Sequence, residues 1–221
     1  MAKPRLAVLI SGEGRNLQAL LDAAGDGRIP ACVAGVISNR PGVVGLERAR
    51  AAGVPAQAVS HTQFAERAAF DAALAERLDT LEPDIVALAG FMRVLGDDFI
   101  RRFKGRLVNI HPSLLPRYRG LHTHRRVLEA GDAEHGGSVH YVTEELDGGP
   151  VAIQGRFSVK PQDNEQTLAE RVMQDVELKI YPQAIAWMAR GELRYSDRGL
   201  LFRGRALAAP LTLADLELEF R

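Results

Sequence analysis

The residues best suited to chemistry stand at the end of one short apolar segment. Residues 106–110 are typical of a strand, and Pro112 ends it because proline cannot extend a hydrogen-bonded ladder. Alternate side chains of a strand point to the same face, so we expect Asn109 and His111 to converge on one small volume. An amide that donates hydrogen bonds beside an imidazole that carries a proton suits reactions of a carbonyl group.

A carboxylate stands downstream in a glycine-rich turn, where Asp147 is followed by two glycines and a proline. Taken alone, Asn109 and His111 fit a catalytic pair and a capped strand end with a satisfied core histidine equally well. The carboxylate favours catalysis, because it stabilises the charged form of an imidazole. We therefore predict that Asn109, His111 and Asp147 act together.

The segments before this strand alternate between strand and helix patterns. Unbroken apolar runs indicate strands buried on both faces, and leucines and alanines at helical spacing indicate helices between them. The predicted strands are 6–10, 33–37, 54–59 and 84–89, and the predicted helices are 15–24, 45–52, 64–81 and 97–102. This alternation is typical of an α/β fold with a central, mostly parallel sheet and right-handed crossovers.

The pattern changes after the strand that carries Asn109 and His111. A helix is predicted over 122–130, and two alternating segments at 137–142 and 151–157 flank the Asp-Gly-Gly loop. Their alternation is typical of strands at a sheet edge. We therefore expect a mixed or antiparallel extension of the sheet on this side.

A long helical pattern follows in the last third of the chain. Asp163 and Gln166 have the spacing of a helix cap, and apolar residues then recur every four positions. We expect Pro182 to kink or end this helix, with a second helical piece over 183–190. A short hairpin around 197–199 follows, and the tail after it either packs or extends freely.

The first predicted strand leads into a glycine-rich loop and a helix. Backbone N–H groups at a helix N-terminus hold anions, so residues 11–16 are predicted to bind a phosphate, with a purely structural turn as the alternative. The third glycine of a dinucleotide fingerprint is missing, because position 17 is leucine. Arg40, after the second strand, would suit the 2′-phosphate of NADP, so an NADP-dependent reductase remains as a different class of function.

Composition limits the partners and the compartment. The 28 basic and 28 acidic residues leave no net charge, which argues against a nucleic acid or a membrane surface as partner. Cys32 is the single cysteine, which fits a reducing cytoplasm, and the apolar run after the N-terminus is too short for a signal peptide or a membrane span. We predict one cytoplasmic domain over 1–195 with a C-terminal hairpin and tail over 196–221.

The other histidines show no spacing typical of a metal site. We assign them to surface or packing positions rather than to ligand positions. They are His122, His124, His135 and His140. The sequence therefore predicts a reaction that uses no metal.

Four motifs, in this order and at this spacing, resemble the formyltransferases that use 10-formyltetrahydrofolate. They are Ile-Ser-Gly-x-Gly-x-Asn at 10–16, Ala-Gly-Phe-Met-Arg at 89–93, Asn-Ile-His-Pro-Ser-Leu-Leu-Pro at 109–116 and Asp-Gly-Gly-Pro at 147–150. Residues 121–124 and 134–150 resemble in particular the branch of that family that formylates glycinamide ribonucleotide.

The resemblance implies a Rossmann-like formyltransferase fold and a reaction in de novo purine synthesis. The formyl group of 10-formyltetrahydrofolate would pass to the ribotide amine, with Asn109 and protonated His111 stabilising the formyl oxygen and Asp147 supporting the imidazolium. The implied partners are small molecules only, and the protein would be a monomer or a homodimer. A ribotide-binding half would cover about 1–100 and a folate-binding half about 101–195.

The same motifs imply the residues of the two substrate sites. Those for the ribotide are Gly12, Glu13, Gly14, Arg15, Asn16, Gln174 and Glu177. Those for the folate are Arg67, Met92, Arg93, Val94, Leu95, Asn109, Thr143, Glu144, Glu145, Leu146 and Asp147. The pterin ring would lie between the backbone of 93–95 and the loop 143–147.

The chain departs from the family pattern at a few positions. Glu13 and Arg15 replace two small polar residues in the glycine loop, and Leu178 stands where a histidine is usual. Arg119 replaces a common proline, which makes this loop also similar to methionyl-tRNA formyltransferases. Those enzymes carry a further C-terminal domain and a basic tRNA face, whereas this chain is short and neutral.

A second rival shares the catalytic trio. Formyltetrahydrofolate hydrolases usually add an N-terminal regulatory domain, whereas the first strand here begins by Leu6. We therefore rank transfer to the ribotide first, and the tRNA formyltransferase and hydrolase activities as alternatives.

Overall fold

The unbroken apolar run near the N-terminus forms a strand at the centre of a seven-stranded sheet. The structure, a computed structural model, describes residues 2–196 and 198–221. The strands are β1 (Arg5–Ile10), β2 (Cys32–Ser38), β3 (Ala56–Ala58), β4 (Ile85–Leu88), β5 (Leu107–His111), β6 (Glu134–Tyr141) and β7 (Val151–Ser158). Their order is β3-β2-β1-β4-β5-β6-β7; β1 to β5 are parallel, and β6 and β7 are antiparallel to their neighbours. The predicted α/β fold with an antiparallel extension is confirmed.

Helices cover both faces of this sheet, which is why its central strands are apolar on both sides. The helices are α1 (Arg15–Gly25), α2 (Val44–Ala51), α3 (Arg67–Asp79), α4 (Asp97–Arg102), α5 (Thr123–Ala130), α6 (Glu165–Arg171) and α7 (Leu178–Ala189). Leu6, Val8 and Ile10 belong to a buried cluster with α1 and α7, whereas Ala7 and Leu9 belong to the cluster with α3 and α4. Successive residues of β1 thus enter different cores.

The strand order reverses between β1 and β4. From β1 the chain moves outward to β2 and β3, then returns to place β4 on the other side of β1 and continues to β5. Loops that leave the carboxyl ends of β1 and β4 therefore diverge, and the crevice between them is where open α/β sheets bind ligands. The glycine loop follows β1, and the loop 89–96 follows β4.

Pro182 was predicted to kink or end the late helix, and the second of these alternatives is wrong. Pro182 lies inside α7, which continues to Ala189. A π-helical segment, Val172–Glu177, directly precedes α7, so the helix is wider there than a regular α-helix. Pro182, which has no N–H to donate, lies in a following turn of the same long helix. The apolar residues spaced every four positions reflect this irregular winding.

Two helix starts also differ from their predictions. The helix predicted over 64–81 is shorter, since Phe64 is extended and packs edge-on against Phe70, 5.9 Å between ring centroids. The cap of α6 lies one residue later than predicted: Asn164 accepts the Thr167 N–H at 2.9 Å and donates its own N–H to the Thr167 hydroxyl at 2.8 Å. Asp163 instead forms an ion pair with Arg171.

The C-terminal tail packs against the main sheet. After α7, strands β8 (Leu193–Ser196), β9 (Gly199–Phe202) and β10 (Arg205–Ala206) form a small antiparallel sheet, and residue 197 of the predicted hairpin lies outside the described residues. Leu211 then pairs with the edge strand β7, donating its N–H to the Ala152 carbonyl at 2.9 Å and accepting the Gln154 N–H at 2.8 Å. Of the two alternatives for the tail, the structure has the packed one.

None of the helices within the described residues is both long enough and apolar enough to cross a bilayer.

Candidate active site

Strand β5 presents the two predicted catalytic side chains on one face. Val108 and Ile110 point into the core beneath α1 and α7, so Asn109 and His111 point to the opposite face. Asn109 is level with Leu88, the last residue of β4, so both side chains lie at the carboxyl edge of the sheet. His111 is buried and Asn109 is partly exposed.

Both ring nitrogens of His111 face hydrogen-bond acceptors. Nε2 lies 3.0 Å from the Tyr118 carbonyl oxygen, which can only accept, so this nitrogen carries a hydrogen. Nδ1 lies 3.5 Å from Oδ2 of Asp147. A second proton on the ring would therefore lie between Nδ1 and a carboxylate.

The Asp147 carboxylate is held by a strained, crowded turn. Asp147 has a left-handed backbone, φ 48°, and its Oδ2 accepts the Gly120 N–H at 2.9 Å. A Cβ at Gly149 would lie 1.8 Å from the Tyr141 carbonyl oxygen, so only glycine allows this turn to approach β6 so closely. The glycines after Asp147 thus bring a carboxylate from a distant part of the chain over the end of β5.

His140, which we expected at a surface or packing position, is a fourth member of this cluster. It lies opposite Asn109 on β6, with its Nε2 3.2 Å from Asn109 Nδ2 and 3.6 Å from Asp147 Oδ1. Its Nδ1 lies 3.0 Å from the Tyr141 carbonyl oxygen. Burial lowers the pKa of His140 to about 4, so the ring is neutral at pH 7. No sequence signal gave the pairing of β5 with β6 on which this contact depends.

Buried polar side chains brace the loop 112–121, which supplies the Tyr118 carbonyl and the Gly120 N–H. The Ser138 hydroxyl donates to the Ser113 carbonyl at 2.6 Å and accepts the Leu115 N–H at 3.1 Å. The Gln154 amide donates to the Leu115 carbonyl at 2.7 Å and to the Ser138 hydroxyl at 2.9 Å. Strands β6 and β7 therefore set the position of the partners of His111 and Asp147.

The glycine loop forms a tight turn at the N-terminus of α1. Gly14 is the N-cap residue with φ 73°, and a Cβ there would lie 2.9 Å from the Cα of Gly45. The Gly45 N–H donates to the Gly12 carbonyl at 3.0 Å. The loop is thus pressed against α2, and within the described residues the N-cap Gly14 gives the first N–H groups of α1 no side-chain cap.

Asn16 and Glu177, both predicted for the ribotide, are in direct contact. The Asn16 amide donates to the Glu177 carboxyl at 2.7 Å, and both side chains are buried. Burial raises the pKa of Glu177. Within the described residues, the Asn16 Oδ1 atom is buried and accepts no hydrogen bond. One acceptor is therefore available at the base of the glycine loop.

Arg15 reaches across to α6. Its guanidinium forms two bonds of 2.8 Å with the Glu170 carboxylate, which also accepts from the Gln174 amide at 3.0 Å. These bonds lower the pKa of Glu170 to about 2. Glu13, in contrast, contributes its backbone carbonyl, which accepts from Arg48 at 2.8 Å. The predicted ribotide residues of the loop and of the late helix are thus brought together.

The loop after β4 is tied to the start of the glycine loop. The buried Ser11 hydroxyl accepts the Met92 N–H at 2.7 Å and donates to the Asn39 amide oxygen at 2.6 Å. Met92 and Val94 leave their side chains largely exposed, whereas Leu95 is buried in the core with α3 and α4. Of the folate residues predicted in this loop, Leu95 therefore offers only its backbone.

Two arginines predicted for the folate flank this loop. The Arg93 guanidinium lies over the Phe70 ring, 5.4 Å from its centroid. Arg67 lies 3.6 Å from Asp71, and Asp71 accepts the Gly96 N–H at 2.8 Å. Asp71 thus connects the first turn of α3 to the end of the loop, with both arginines on the same side of the molecule.

The loop 143–147 closes the other side of the cluster. Glu145 forms an ion pair with Arg119, and its carbonyl accepts the Gly148 N–H at 3.0 Å. Leu146 is exposed, and Asp147 turns inward. Thr143 is partly buried, and Glu144 is exposed.

Two further points of the sequence analysis concern metal ligands and Arg40, the arginine that follows β2. Within residues 2–196 and 198–221, no group of three or more His, Cys, Asp or Glu side chains is arranged to hold a metal ion.

Arg40 is exposed, and its backbone forms a turn in which its N–H donates to the Ser38 hydroxyl at 3.0 Å. The structure gives this arginine no role in the cluster around Asn109.

Comparison with known proteins gives the same result by sequence and by structure. The formyl transferase family model matches residues 4–185. The chain is 48% identical to a phosphoribosylglycinamide formyltransferase of Escherichia coli, over 95% of this chain and 99% of that protein. It is 43% identical to the enzyme of that name from Haemophilus influenzae, over 92% of this chain and 95% of that protein.

A solved structure is similar in fold throughout. The phosphoribosylglycinamide formyltransferase of Coxiella burnetii superposes with a TM-score of 0.90 and 44% sequence identity, covering 95% of this chain and 99% of that chain. The chain therefore belongs to the formyl transferase family, in which these full-length relatives are phosphoribosylglycinamide formyltransferases.

Proposed function

We propose that this protein transfers the formyl group of 10-formyltetrahydrofolate to the amine of 5′-phosphoribosylglycinamide. The products are N-formylglycinamide ribonucleotide and tetrahydrofolate, in de novo IMP synthesis. The observation that carries the proposal is the cluster of Asn109, His111 and Asp147 at the carboxyl end of β5, next to β4, whose loop borders the strand-order reversal. It lies between a glycine loop at a helix N-terminus and a loop with exposed apolar side chains. The names of the full-length relatives support the same reaction.

The folate supplies the formyl carbon that the ribotide amine attacks, and negative charge develops on the formyl oxygen. Asn109 donates an amide N–H to that oxygen, and the His111 imidazolium donates a proton or a hydrogen bond. Asp147, 3.5 Å from His111, stabilises the charged ring and relays the proton that the attacking amine loses. The bond between the formyl carbon and N10 of the folate breaks, and N10 takes up that proton as tetrahydrofolate leaves. Removing one donor of this kind typically costs about 10²–10³ in rate.

To reach the formyl oxygen, His111 must give up either its hydrogen bond to Tyr118 or its ion-pair contact with Asp147. Its partners are the neutral Tyr118 carbonyl and the Asp147 carboxylate. Hydrogen bonds to a charged partner are the stronger of the two kinds. We therefore assign Nε2, now bonded to Tyr118, as the nitrogen that turns to the substrate, while Nδ1 keeps the carboxylate.

The ribotide site is assigned to the glycine loop and the late helix. The free N–H groups at the N-terminus of α1 and the Arg15 guanidinium would bind the phosphate. Glu177, buried beside Asn16, would accept from the glycinamide end, and Gln174 would border it. The free Asn16 Oδ1 supports this assignment, since a buried acceptor without a partner is costly until a ligand donates to it.

The folate site is assigned to the loops around residues 92–95 and 143–147. Met92, Val94 and Leu146 are 63%, 56% and 52% exposed, and covering such side chains with a flat ring removes apolar area from water. The backbone of the first loop is held by Ser11 and offers hydrogen bonds to ring edges. Arg67 and Arg93 supply positive charge for the carboxylates of the glutamyl end.

The proposal is tested by exchanging the acceptor. Purified protein should convert 10-formyltetrahydrofolate to tetrahydrofolate only when glycinamide ribonucleotide is supplied. Turnover with water alone would indicate the hydrolase activity, and turnover with charged methionyl-tRNA would indicate the tRNA formyltransferase activity. Tight binding of NADP in a titration would indicate the reductase. Any of these three results, without transfer to the ribotide, contradicts the proposal.

A further inference from the structure

Asn109 and His140 form a cross-strand pair beside the predicted catalytic residues. They lie directly opposite each other on β5 and β6, with Nδ2 of the amide 3.2 Å from Nε2 of the ring. The ring is 1% exposed, so water does not compete for this contact. The partner of Asn109 is therefore set by strand pairing.

The backbone determines which nitrogen of His140 carries the hydrogen. Nδ1 lies 3.0 Å from the Tyr141 carbonyl oxygen, and a carbonyl can only accept, so Nδ1 is the donor. In the neutral ring Nε2 is then an acceptor without hydrogen. Asn109 can satisfy it only with its NH₂ group, because the amide oxygen would face a lone pair.

We propose that His140 is a positioning residue that orients the Asn109 amide, so that its second N–H points to the formyl oxygen. This inference rests on the proposed function. The NH₂ group has two hydrogens, and the bond to His140 uses one of them. An amide without this partner could rotate by 180° and present its oxygen to the developing negative charge, where it would repel.

The neutral state of His140 also keeps Asp147 available to His111. Asp147 Oδ1 lies 3.6 Å from His140 Nε2, and the other charged groups that act on this ring are His111 and Arg119. A protonated His140 would donate to Asp147 and would lose the lone pair that accepts from Asn109. Burial of the His140 ring opposes that protonation, so the Asp147 carboxylate interacts with His111 and not with a second charged ring.

Two neutral substitutions distinguish the role of Nε2 of His140 from the role of Nδ1. In His140→Gln the longer amide places an acceptor near the position of Nε2, whereas in His140→Asn the shorter amide retains only a group near Nδ1. We expect kcat to fall by about 10²-fold in His140→Asn, comparable to loss of an oxyanion donor, and by less than about tenfold in His140→Gln. KM for the ribotide should change by less than about twofold, since neither His140 nor Asn109 is assigned to the ribotide site.

A double-mutant cycle tests whether His140 acts through Asn109. In the Asn109→Ala background, His140→Asn should lower kcat by no more than about twofold, because the amide to be oriented is gone. Independent, multiplicative losses would overturn the proposal. So would loss of the acid limb of the pH–rate profile in His140→Gln, because His140 would then transfer protons itself.

A measurement on the unmodified enzyme guards against variants that do not fold. In ¹⁵N-histidine NMR spectra between pH 6 and 8, His140 should show a protonated Nδ1 and an unprotonated Nε2. The opposite tautomer or a charged ring overturns the proposal. Absence of formyl transfer in the unmodified enzyme would instead contradict the proposed function, while the tautomer would still be measured.

Discussion

Arg15 and Glu170 connect the glycine loop to helix α6 through a two-bonded ion pair, with both N···O distances at 2.8 Å. The two residues are 155 positions apart in the chain. The pair shows where one of the two charges that depart from the family pattern in the glycine loop is directed. The two opposite charges of the loop do not pair with each other, since Arg15 turns to Glu170 and Glu13 is bonded through its backbone to Arg48.

The first prediction concerns competition for Arg15. Glu170→Gln removes a carboxylate that competes with a substrate phosphate for the guanidinium, so KM for glycinamide ribonucleotide should fall by about two- to fivefold at low salt. Steady-state kinetics at two ionic strengths measure this, and the effect should shrink at high salt. Glu165→Gln, on the same helix and also exposed, is the control and should leave KM unchanged. A rise in KM would mean that Glu170 instead positions Arg15.

The second prediction separates the charge of Asp147 from its shape. In Asp147→Asn the new side chain would tolerate the left-handed backbone and still accept the Gly120 N–H, but it carries no charge. We expect Asp147→Asn to lower kcat by about 10²–10³ with little change in the unfolding temperature. Asp147→Ala should lose a similar rate and also lower the unfolding temperature, because alanine is disfavoured at φ 48°. Near-normal kcat in Asp147→Asn would exclude a role for the charge.

The third prediction uses two glycines with the same backbone conformation and different surroundings. Gly14 and Gly27 have φ of 73° and 88°, but a Cβ at Gly14 would meet Gly45 at 2.9 Å, whereas the space around Gly27 is open. Gly27→Ala should cost about 1 kcal/mol of unfolding free energy through the backbone alone. Gly14→Ala should cost more and should also raise KM for the ribotide at least tenfold, because the loop must move.

Urea unfolding and ribotide kinetics on both variants measure the difference. The folate KM serves as the internal reference, since a Cβ at Gly14 would meet Gly45 and Leu17, and neither is assigned to the folate. If the two variants behave alike, the close packing of the glycine loop against α2 does not shape the phosphate site.

The fourth prediction concerns stability at acid pH. His135 is buried, accepts or donates through Nε2 to His124 at 2.9 Å, and has a pKa lowered by burial to about 4 from 6.5. Because the folded pKa lies below the unfolded value, the unfolded chain binds more protons between about pH 6.5 and 4, and stability falls as the pH drops through that window. The contribution of His135 to this loss between pH 7 and 5 should be about 1–2 kcal/mol.

The measurement is urea unfolding at pH 7, 6 and 5 for the unmodified protein and for His135→Gln. The variant should be less stable at pH 7, since the ring packs on Phe157 with centroids 6.0 Å apart, but its stability should depend less on pH. Equal slopes in the two proteins would show that His135 is not a source of the acid sensitivity.

Strand patterns predicted most of the fold because they are local. The runs that became β1, β2 and β4 are apolar at nearly every position, and only a strand covered on both faces requires that. The face shared by Asn109 and His111 follows from the two-residue repeat of β5 alone, so it too was predictable. The wrong expectation at Pro182 came from treating the helix as regular, whereas the π-helical turn before it changes the winding.

Contacts that depend on strand register or on helix packing could not be predicted from the sequence. His140 faces Asn109 because β6 pairs antiparallel with β5 at one register, and a shift of one residue would turn His140 to the opposite face. Likewise, Arg15 meets Glu170, and Asn16 meets Glu177, only after α6 and the π-helical segment have packed beside the glycine loop. Residue types alone did not distinguish His140 from the other buried histidines.

A series of hydrogen bonds connects Leu211, in the C-terminal tail, to the loop that contacts His111. Its carbonyl holds the backbone of Gln154, and the side chain of Gln154 holds the Leu115 carbonyl in the loop that carries Tyr118. Tyr118 in turn accepts the Nε2 hydrogen of His111. A truncation that removed residues 211–221 would thus loosen the partner of the proposed catalytic histidine.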